Sequence, residues 1–138
     1  MKKVVLVGGC FDILHPGHII FLEKAKAAGD SLVVLLESDQ KVKELKGQGR
    51  PIHTQKERAK LLQALRSVDQ VVMLPYLDNE EDYDEIVAKI KPHIIAATYG
   101  DTNIHHYQRA AKLIDAKLRY VTKMVGNYSS SRILGGYK

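Results

Sequence analysis

Short runs of β-branched and aliphatic residues alternate along the chain with longer segments in which apolar residues recur every three or four positions. The short runs predict five strands, at 3–8, 32–37, 70–74, 93–97 and 118–122. The longer segments predict helices at about 17–28, 54–67, 80–91 and 103–116, with a short helix beginning near 130. The pattern therefore indicates five strands, each followed by a helix.

Each predicted strand is a nearly continuous apolar run and lacks strict alternation of apolar and polar residues. Such runs are typical of strands that are covered on both faces. Strands that alternate with helices form parallel sheets with right-handed crossovers. We therefore expect an α/β fold, a three-layer sandwich with a five-stranded parallel sheet. With no internal repeat and no low-complexity linker, residues 1–138 are expected to form a single domain.

The composition of the 138 residues agrees with a globular domain, since 45% are hydrophobic. Cys10 is the only cysteine, which excludes an intrachain disulfide framework and favours a reducing compartment. No apolar run approaches the roughly 18 residues of a membrane span, and the N-terminus becomes polar too early for a signal peptide. We therefore expect a soluble, cytoplasmic protein.

The positive charge is concentrated in one segment. The chain has 21 Lys and Arg against 16 Asp and Glu, a net charge of +5. Residues 41–60 hold seven basic and two acidic side chains, which accounts for the whole excess. This segment predicts a polyanionic partner: nucleic acid, anionic lipid or phosphorylated small molecules. A nucleic-acid-binding module stays an alternative, although the basic residues do not interleave with aromatic ones.

The junction between the first strand and the first helix is the best candidate for a ligand site. Open parallel sheets bind ligands beyond the carboxyl ends of their strands. Gly8 and Gly9 would allow backbone amides to approach a ligand closely, and a helix N-terminus follows. The sequence matches neither GxGxxG nor GxxxxGK[ST], so neither a hydride-transfer dinucleotide site nor a P-loop is supported.

Two histidines, His15 and His18, lie three residues apart at the start of this helix, with His18 on its inward-facing edge. Both can direct ring N–H donors at one anion, helped by the helix dipole. This arrangement suits the charge that develops on phosphoryl oxygens in a transition state. Two alternatives remain: a metal site that takes Cys10 or Asp12 as a third ligand, whose spacing is poor, and a purely structural pair.

These residues form a recognisable motif. Gly9-Cys10-Phe11-Asp12 followed by His15-Pro16-Gly17-His18 resembles the G-[TC]-F-D-x-x-H-x-G-H signature of the cytidylyltransferase-like nucleotidyltransferases. The resemblance continues through VKELKGQGRP at 42–51, Glu57-Arg58, Val68-Asp69 and the Ser129-Ser130-Ser131-Arg132-Ile133 segment. It implies a Rossmann-like fold and an enzyme that transfers CMP or AMP from CTP or ATP to a phosphorylated acceptor and releases pyrophosphate.

The resemblance leaves the substrates open. Residues 42–51 resemble the adenylyltransferase domain that makes ADP-heptose, whereas the overall length resembles that of glycerol-3-phosphate cytidylyltransferases. FAD synthetases, which adenylylate FMN, share much of the same pattern. All three imply direct in-line attack without a covalent enzyme intermediate. They also imply Mg²⁺, held mostly by the nucleotide phosphates, and a homodimer.

The resemblance also assigns roles to single residues. The implied catalytic residues are His15, His18, Lys46 and Arg58. The implied nucleotide-binding residues are Gly9, Cys10, Phe11, His15, His18, Gly100, Asp101, Ser129, Ser130 and Ser131. The implied acceptor-binding residues are Asp12, Lys43 and Lys46, and no side chain is assigned to a metal.

Two features fit the family pattern poorly. Met124 stands where the family often has arginine, so we expect that phosphate or base contact either to be weaker or to be supplied by Lys123 or Arg132. His105 and His106 match no family motif, and we expect them on a solvated helix face, with an acceptor contact as the alternative.

Overall fold

The structure, a computed structural model, describes residues 2–101 and 104–123. In chain order its elements are β1 Val4–Gly9, α1 Pro16–Ala27, β2 Ser31–Leu36, α2 Asp39–Lys46, α3 Gln55–Gln63, β3 Gln70–Met73, α4 Glu80–Ile90, β4 Ile94–Tyr99, α5 His105–Leu113 and β5 Lys117–Lys123. No helix among the described residues is long and apolar enough to cross a membrane.

The five strands form one sheet in the order β3-β2-β1-β4-β5, and every neighbouring pair is parallel. Helices cover both faces of this sheet. Leu22 of α1 and Leu62 of α3 lie in the core on one face, whereas Val87 of α4 and Ala110 of α5 lie in the core on the other. The predicted three-layer α/β sandwich with a Rossmann-like, five-stranded parallel sheet is therefore confirmed.

The central strand explains the continuous apolar runs. Val5 and Val7 of β1 pack into the α1–α3 side of the core, while Leu6 between them packs into the α4–α5 side. All three side chains are fully buried. Both sets of alternating positions therefore need apolar residues, which is the reason that no polar alternation is visible in the sequence.

One helix was not predicted. In α2, Ser38 caps the N-terminus by accepting a hydrogen bond from Lys41 N at 3.1 Å, and Gly47 with φ +97° ends the helix. Only Val42 is buried in this helix, so it has no apolar stripe to reveal it. The helix predicted near 130 lies outside the described residues.

Candidate functional site

The carboxyl ends of β1 and β4 lie side by side at the point where the strand order reverses. These two strands are neighbours in the sheet although four helices and two strands separate them in the chain. The connection after β1 leads to α1 on one face, and the connection after β4 leads to α5 on the other. Divergent connections of this kind open a crevice that is the usual ligand site of doubly wound sheets.

His15 and His18 form a reciprocal cap at the start of α1. The Nδ1 atom of His15 accepts a hydrogen bond from Gly17 N at 3.1 Å, and the Nδ1 atom of His18 accepts one from His15 N at 3.3 Å. Since an N–H group donates to each Nδ1, the proton of each neutral ring sits on Nε2. The rings stack with their centroids 3.8 Å apart. Two Nε2–H groups therefore lie together at the helix N-terminus, and the His18 ring also forms a hydrogen bond with the backbone of Ile13.

Both rings are held in the uncharged form. Burial, with help from the charges of His15 and Lys46, lowers the pKa of His18 to about 3. Partial burial and the charge of Lys46 also lower the pKa of His15. At neutral pH each ring is therefore a neutral donor through Nε2, and the positive end of the α1 dipole adds to the attraction for an anion.

The two glycines at the end of β1 are required by internal packing. A Cβ atom on Gly8 would lie 1.8 Å from the hydroxyl of Tyr107, and one on Gly9 would lie 2.9 Å from the ring of Phe11. Phe11 has φ +47°, and its buried ring packs 5.3 Å from the ring of His18. From the sequence, Gly8 and Gly9 were expected only to let a ligand approach the backbone closely. Nothing in the sequence indicated that Tyr107 packs against Gly8.

Arg58 lies inside the protein. Its side chain is fully buried, although an anion-binding, catalytic role was predicted for it. Its guanidinium donates to the carbonyl oxygens of Cys10 at 2.8 Å, Glu37 at 3.0 Å and His53 at 3.0 Å, and to the Asp39 carboxylate at 2.7 Å. These acceptors take four of the five N–H donors of the guanidinium, so Arg58 holds the loops at the carboxyl edge together, and its role toward an anion stays a prediction.

Asp12 is also buried, and it acts as an anchor for the loop that precedes α3. Its carboxylate accepts hydrogen bonds from Arg50 Nε at 2.6 Å and from the backbone N–H groups of Ile52 at 2.9 Å and His53 at 3.0 Å. Burial opposes ionisation, but these donors outweigh it and lower the pKa of Asp12. Asp12 can therefore shape the predicted acceptor site by positioning residues 50–53.

The basic segment does not form one continuous patch. Arg50 and Arg58 are internal and pair with carboxylates, whereas Lys43 and Lys46 are exposed on α2. The charge of Lys46 lowers the pKa values of both His15 and His18. The structure therefore brings Lys46 close to the histidine pair, and the role of Lys43 stays a prediction.

The remaining predicted residues divide into two groups. Gly100, with φ +94°, and Asp101 form a turn directly after β4, which Asp101 N closes by donating to Thr98 O at 3.1 Å. This turn lies at the same edge of the sheet as the β1–α1 loop. Ser129, Ser130, Ser131, Met124 and Arg132 lie outside the described residues. Their roles stay predictions, as do those of Gly100 and Asp101.

His105 and His106 differ in their surroundings. His105 is exposed and lies 3.4 Å from the carboxylate of Glu80, as expected of a solvated helix face. His106 contradicts that expectation, because its ring packs 4.6 Å from Tyr83 and 4.1 Å from Tyr107. Burial lowers the pKa of His106 to about 4, with the charge of His105 as the next cause.

Among the residues that the structure describes, no group of three or more His, Cys, Asp or Glu side chains could hold a metal ion. The described side chains therefore offer no built site for the Mg²⁺ that the family pattern implies. The Mg²⁺ that the family pattern implies, held mostly by the nucleotide phosphates, therefore stays a prediction.

Comparison with known proteins places the chain among relatives of one kind. Residues 6–134 match the family model described as cytidylyltransferase-like. The bifunctional protein HldE of Aliarcobacter butzleri is 48% identical over 94 residues, which are 68% of this chain and 19% of that protein. HldE of Helicobacter pylori J99 is 48% identical over 136 residues, 96% of this chain and 27% of that protein. The chain thus spans about a fifth to a quarter of these relatives.

A solved structure gives the same result for the fold. The lipopolysaccharide core biosynthesis protein from Thermoplasma volcanium GSS1 superposes with a TM-score of 0.73 at 29% sequence identity. The match covers 91% of this chain and all of that chain. A protein of similar extent therefore has the same arrangement of strands and helices.

Proposed function

This chain belongs to the cytidylyltransferase-like family of nucleotidyltransferases, and we propose that it transfers AMP from ATP to a sugar phosphate with release of pyrophosphate. The observation that carries the proposal is the reciprocal cap of His15 and His18, which sets two Nε2–H donors at one helix N-terminus. Two neutral donors on a positive helix end suit a group that gains negative charge as it reacts.

In this reaction, a phosphate oxygen of the acceptor attacks the α-phosphorus of the nucleotide, and the bond to the pyrophosphate oxygen breaks. Since the acceptor itself is the nucleophile in this reaction, the contribution of the chain is positioning and electrostatic stabilisation. His15 and His18 donate to the oxygens of the α-phosphate. Lys46, whose charge reaches both rings, attracts the phosphates of the two substrates.

The choice of AMP and a sugar phosphate is supported by two observations. The relatives with 48% identity are bifunctional HldE proteins, and the match to one of them covers 96% of this chain. In addition, residues 42–51 resemble the adenylyltransferase domain that makes ADP-heptose. In the structure this stretch includes the end of α2 with Lys46, beside the histidine pair. We therefore propose heptose 1-phosphate as the first acceptor to test.

The experiment is a panel of two nucleotides and three acceptors. ATP or CTP is incubated with heptose 1-phosphate, glycerol 3-phosphate or FMN, and pyrophosphate is measured with and without the acceptor. We expect acceptor-dependent pyrophosphate release with ATP and heptose 1-phosphate. Release with CTP and glycerol 3-phosphate, or with ATP and FMN, would reassign the substrates. Salt-sensitive binding of DNA or RNA without any turnover would instead support the nucleic-acid-binding module.

We also propose that Mg²⁺ enters the site with the nucleotide, that the protein works as a homodimer and that it is cytoplasmic. If the nucleotide carries the metal, EDTA should abolish pyrophosphate release while leaving the melting temperature of the nucleotide-free protein unchanged. A fall in that melting temperature would contradict this and indicate a metal site within the protein. Sedimentation equilibrium at several protein concentrations tests the homodimer.

A further inference from the structure

Helix α2 carries Lys46 close to the histidine pair, but the core holds this helix only loosely. Its one buried side chain is Val42, and residues 43–49 are all exposed. Isolated helices this short are marginal in water, so contacts with other elements must hold them in place. The position of Lys46 therefore depends on contacts that α2 makes outside the core.

The segment that contains α2 is anchored at both of its ends. At the start of the helix, the Asp39 carboxylate accepts a hydrogen bond of 2.7 Å from the buried guanidinium of Arg58. Beyond the helix, the buried side chain of Arg50 donates to Asp12 at 2.6 Å. Lys46 lies between these two anchors, on the last turn of α2. Its position therefore also depends on what holds the middle of the helix.

Tyr76 contacts the middle of α2 from the side. Its hydroxyl donates a hydrogen bond to Glu44 Oε1, and the Nζ atom of Lys41 lies 5.0 Å from the centroid of its ring. Lys41 and Glu44 are neighbours on one face of the helix and form an ion pair at 3.5 Å. The side chain of Tyr76 therefore contacts both members of this pair.

The loop that carries Tyr76 is itself fixed to the core. Leu74 and Leu77, on either side of Tyr76, are buried in the α4–α5 side of the core. The backbone of Leu74 is held twice, because its N–H donates to Leu36 O at 2.9 Å and its carbonyl oxygen accepts from Gln55 Nε2 at 2.8 Å. Tyr76 thus connects the exposed helix α2 to a part of the chain that the core holds in place.

We propose that Tyr76 is a positioning residue for Lys46. By holding α2 at Glu44, it keeps the Lys46 cation beside the histidine pair. The inference rests on the proposed function, because it needs Lys46 to act on the phosphates of the substrates. Contacts between exposed charged side chains add little to the stability of a folded protein. We therefore expect the loss of the Tyr76 contact to lower activity while the melting temperature stays unchanged.

The test is a double-mutant cycle of Tyr76→Phe and Lys46→Met, measured as kcat/KM for pyrophosphate release. Tyr76→Phe keeps the ring and every charge, and it removes only the hydroxyl that donates to Glu44. We expect kcat/KM to fall about threefold, less than in Lys46→Met, because Tyr76 acts only through Lys46. In the Lys46→Met background, Tyr76→Phe should cause no further fall. Tyr120→Phe, which removes a hydroxyl bonded to Gln108, is the matched control.

A second measurement on the same variants does not need turnover. Hydrogen–deuterium exchange of the α2 amides in the nucleotide-free protein should be about threefold faster in Tyr76→Phe than in the parent, with exchange in α1 unchanged. The inference is overturned if Tyr76→Phe exchanges like the parent, keeps the parent kcat/KM, or lowers kcat/KM equally in both backgrounds. The proposed function fails separately, when the parent gives no acceptor-dependent pyrophosphate with any substrate pair in the panel.

Discussion

The buried guanidinium of Arg58 donates a hydrogen bond of 2.8 Å from Nη1 to the carbonyl oxygen of Cys10, the first residue of the loop that follows β1. The same Nη1 atom donates to the carbonyl oxygen of Glu37 at the end of β2. One side chain from α3 thereby fixes the ends of two neighbouring strands. We therefore expect any effect of Arg58 on catalysis to pass through the loop that leads to His15.

Replacing Arg58 by lysine should therefore destabilise the protein. Lysine keeps the charge but cannot reach the carbonyls of Cys10, Glu37 and His53 together, because its donors sit on one nitrogen. We expect the free energy of unfolding in urea to fall by about 3 kcal/mol, as is usual when a buried charged group loses partners. Arg66→Lys, at an exposed position, is the control. A fully stable Arg58→Lys with a raised nucleotide KM would show instead that Arg58 binds an anion.

Because Tyr107 packs directly against Gly8, we expect a larger residue at position 8 to destabilise the protein. The Gly8→Ala variant places a Cβ atom against the buried Tyr107 hydroxyl, and this overpacking should cost about 1–3 kcal/mol. Adding Tyr107→Leu should relieve part of that cost, since the shorter side chain withdraws from the strand. Urea unfolding of the two single variants and the double variant measures the coupling. Simple addition of the two single effects would mean that the residues do not compete for the same space.

We expect Lys46 to increase kcat/KM through its positive charge. Lys46→Met removes the cation that lowers the pKa values of His15 and His18, and it weakens attraction for both phosphorylated substrates. We expect kcat/KM to fall about tenfold, which corresponds to about 1.4 kcal/mol, and the salt dependence of kcat/KM to become shallower. Lys60→Met removes an exposed charge from α3 and serves as the control. An equal fall in kcat/KM in the two variants would show that the net charge of the protein matters and the position of Lys46 does not.

His106 should make the protein less stable in acid. Its pKa is about 4 in the folded protein and about 6.5 when unfolded, because burial and the positive charges of His105 and Lys41 outweigh Glu80 and Asp84. As the pH falls from 6.5 toward 4, the unfolded chain binds a proton first. The contribution of His106 to the free energy of unfolding is therefore fully present above pH 6.5. Below pH 6.5 it declines by at most about 1.4 kcal/mol per pH unit.

The His106→Phe variant isolates this effect, since phenylalanine keeps the packing against Tyr83 and Tyr107 without titrating. Urea unfolding of parent and variant at pH 4.5 to 8 should give a flatter dependence below pH 6.5 for the variant. Between pH 7 and 8 the difference between the two proteins should be constant, which is the internal control. Parallel curves over the whole range would contradict the lowered pKa.

The fold was predictable because its physical signal is local and repeated. Five apolar runs separated by amphipathic segments were enough to predict the parallel sheet. The family identified from the His15–His18 motif is confirmed by the match over residues 6–134. The prediction of a nucleotidyltransferase is confirmed at the same level. Helix α2 could not be found from periodicity, because Val42 is its only buried residue.

The sequence could not show which charged residues are exposed and which are buried inside the protein. Lys46 and Arg58 both appear in the sequence as cations within one basic segment, yet one is exposed and the other has no exposed surface. Whether Arg58 binds a ligand or the protein depends on carbonyls from Cys10 and Glu37, which are distant in sequence.

The central claim is that the Nε2–H groups of His15 and His18 stabilise the reacting phosphate, and His15→Asn tests it most directly. Asparagine is a favourable N-cap, so it can replace Nδ1 as the acceptor for Gly17 N while removing the Nε2–H donor. The measurement is kcat for pyrophosphate release, together with the melting temperature. We predict a fall in kcat of at least about a hundredfold with an unchanged melting temperature. An unchanged kcat in this folded variant would contradict the account.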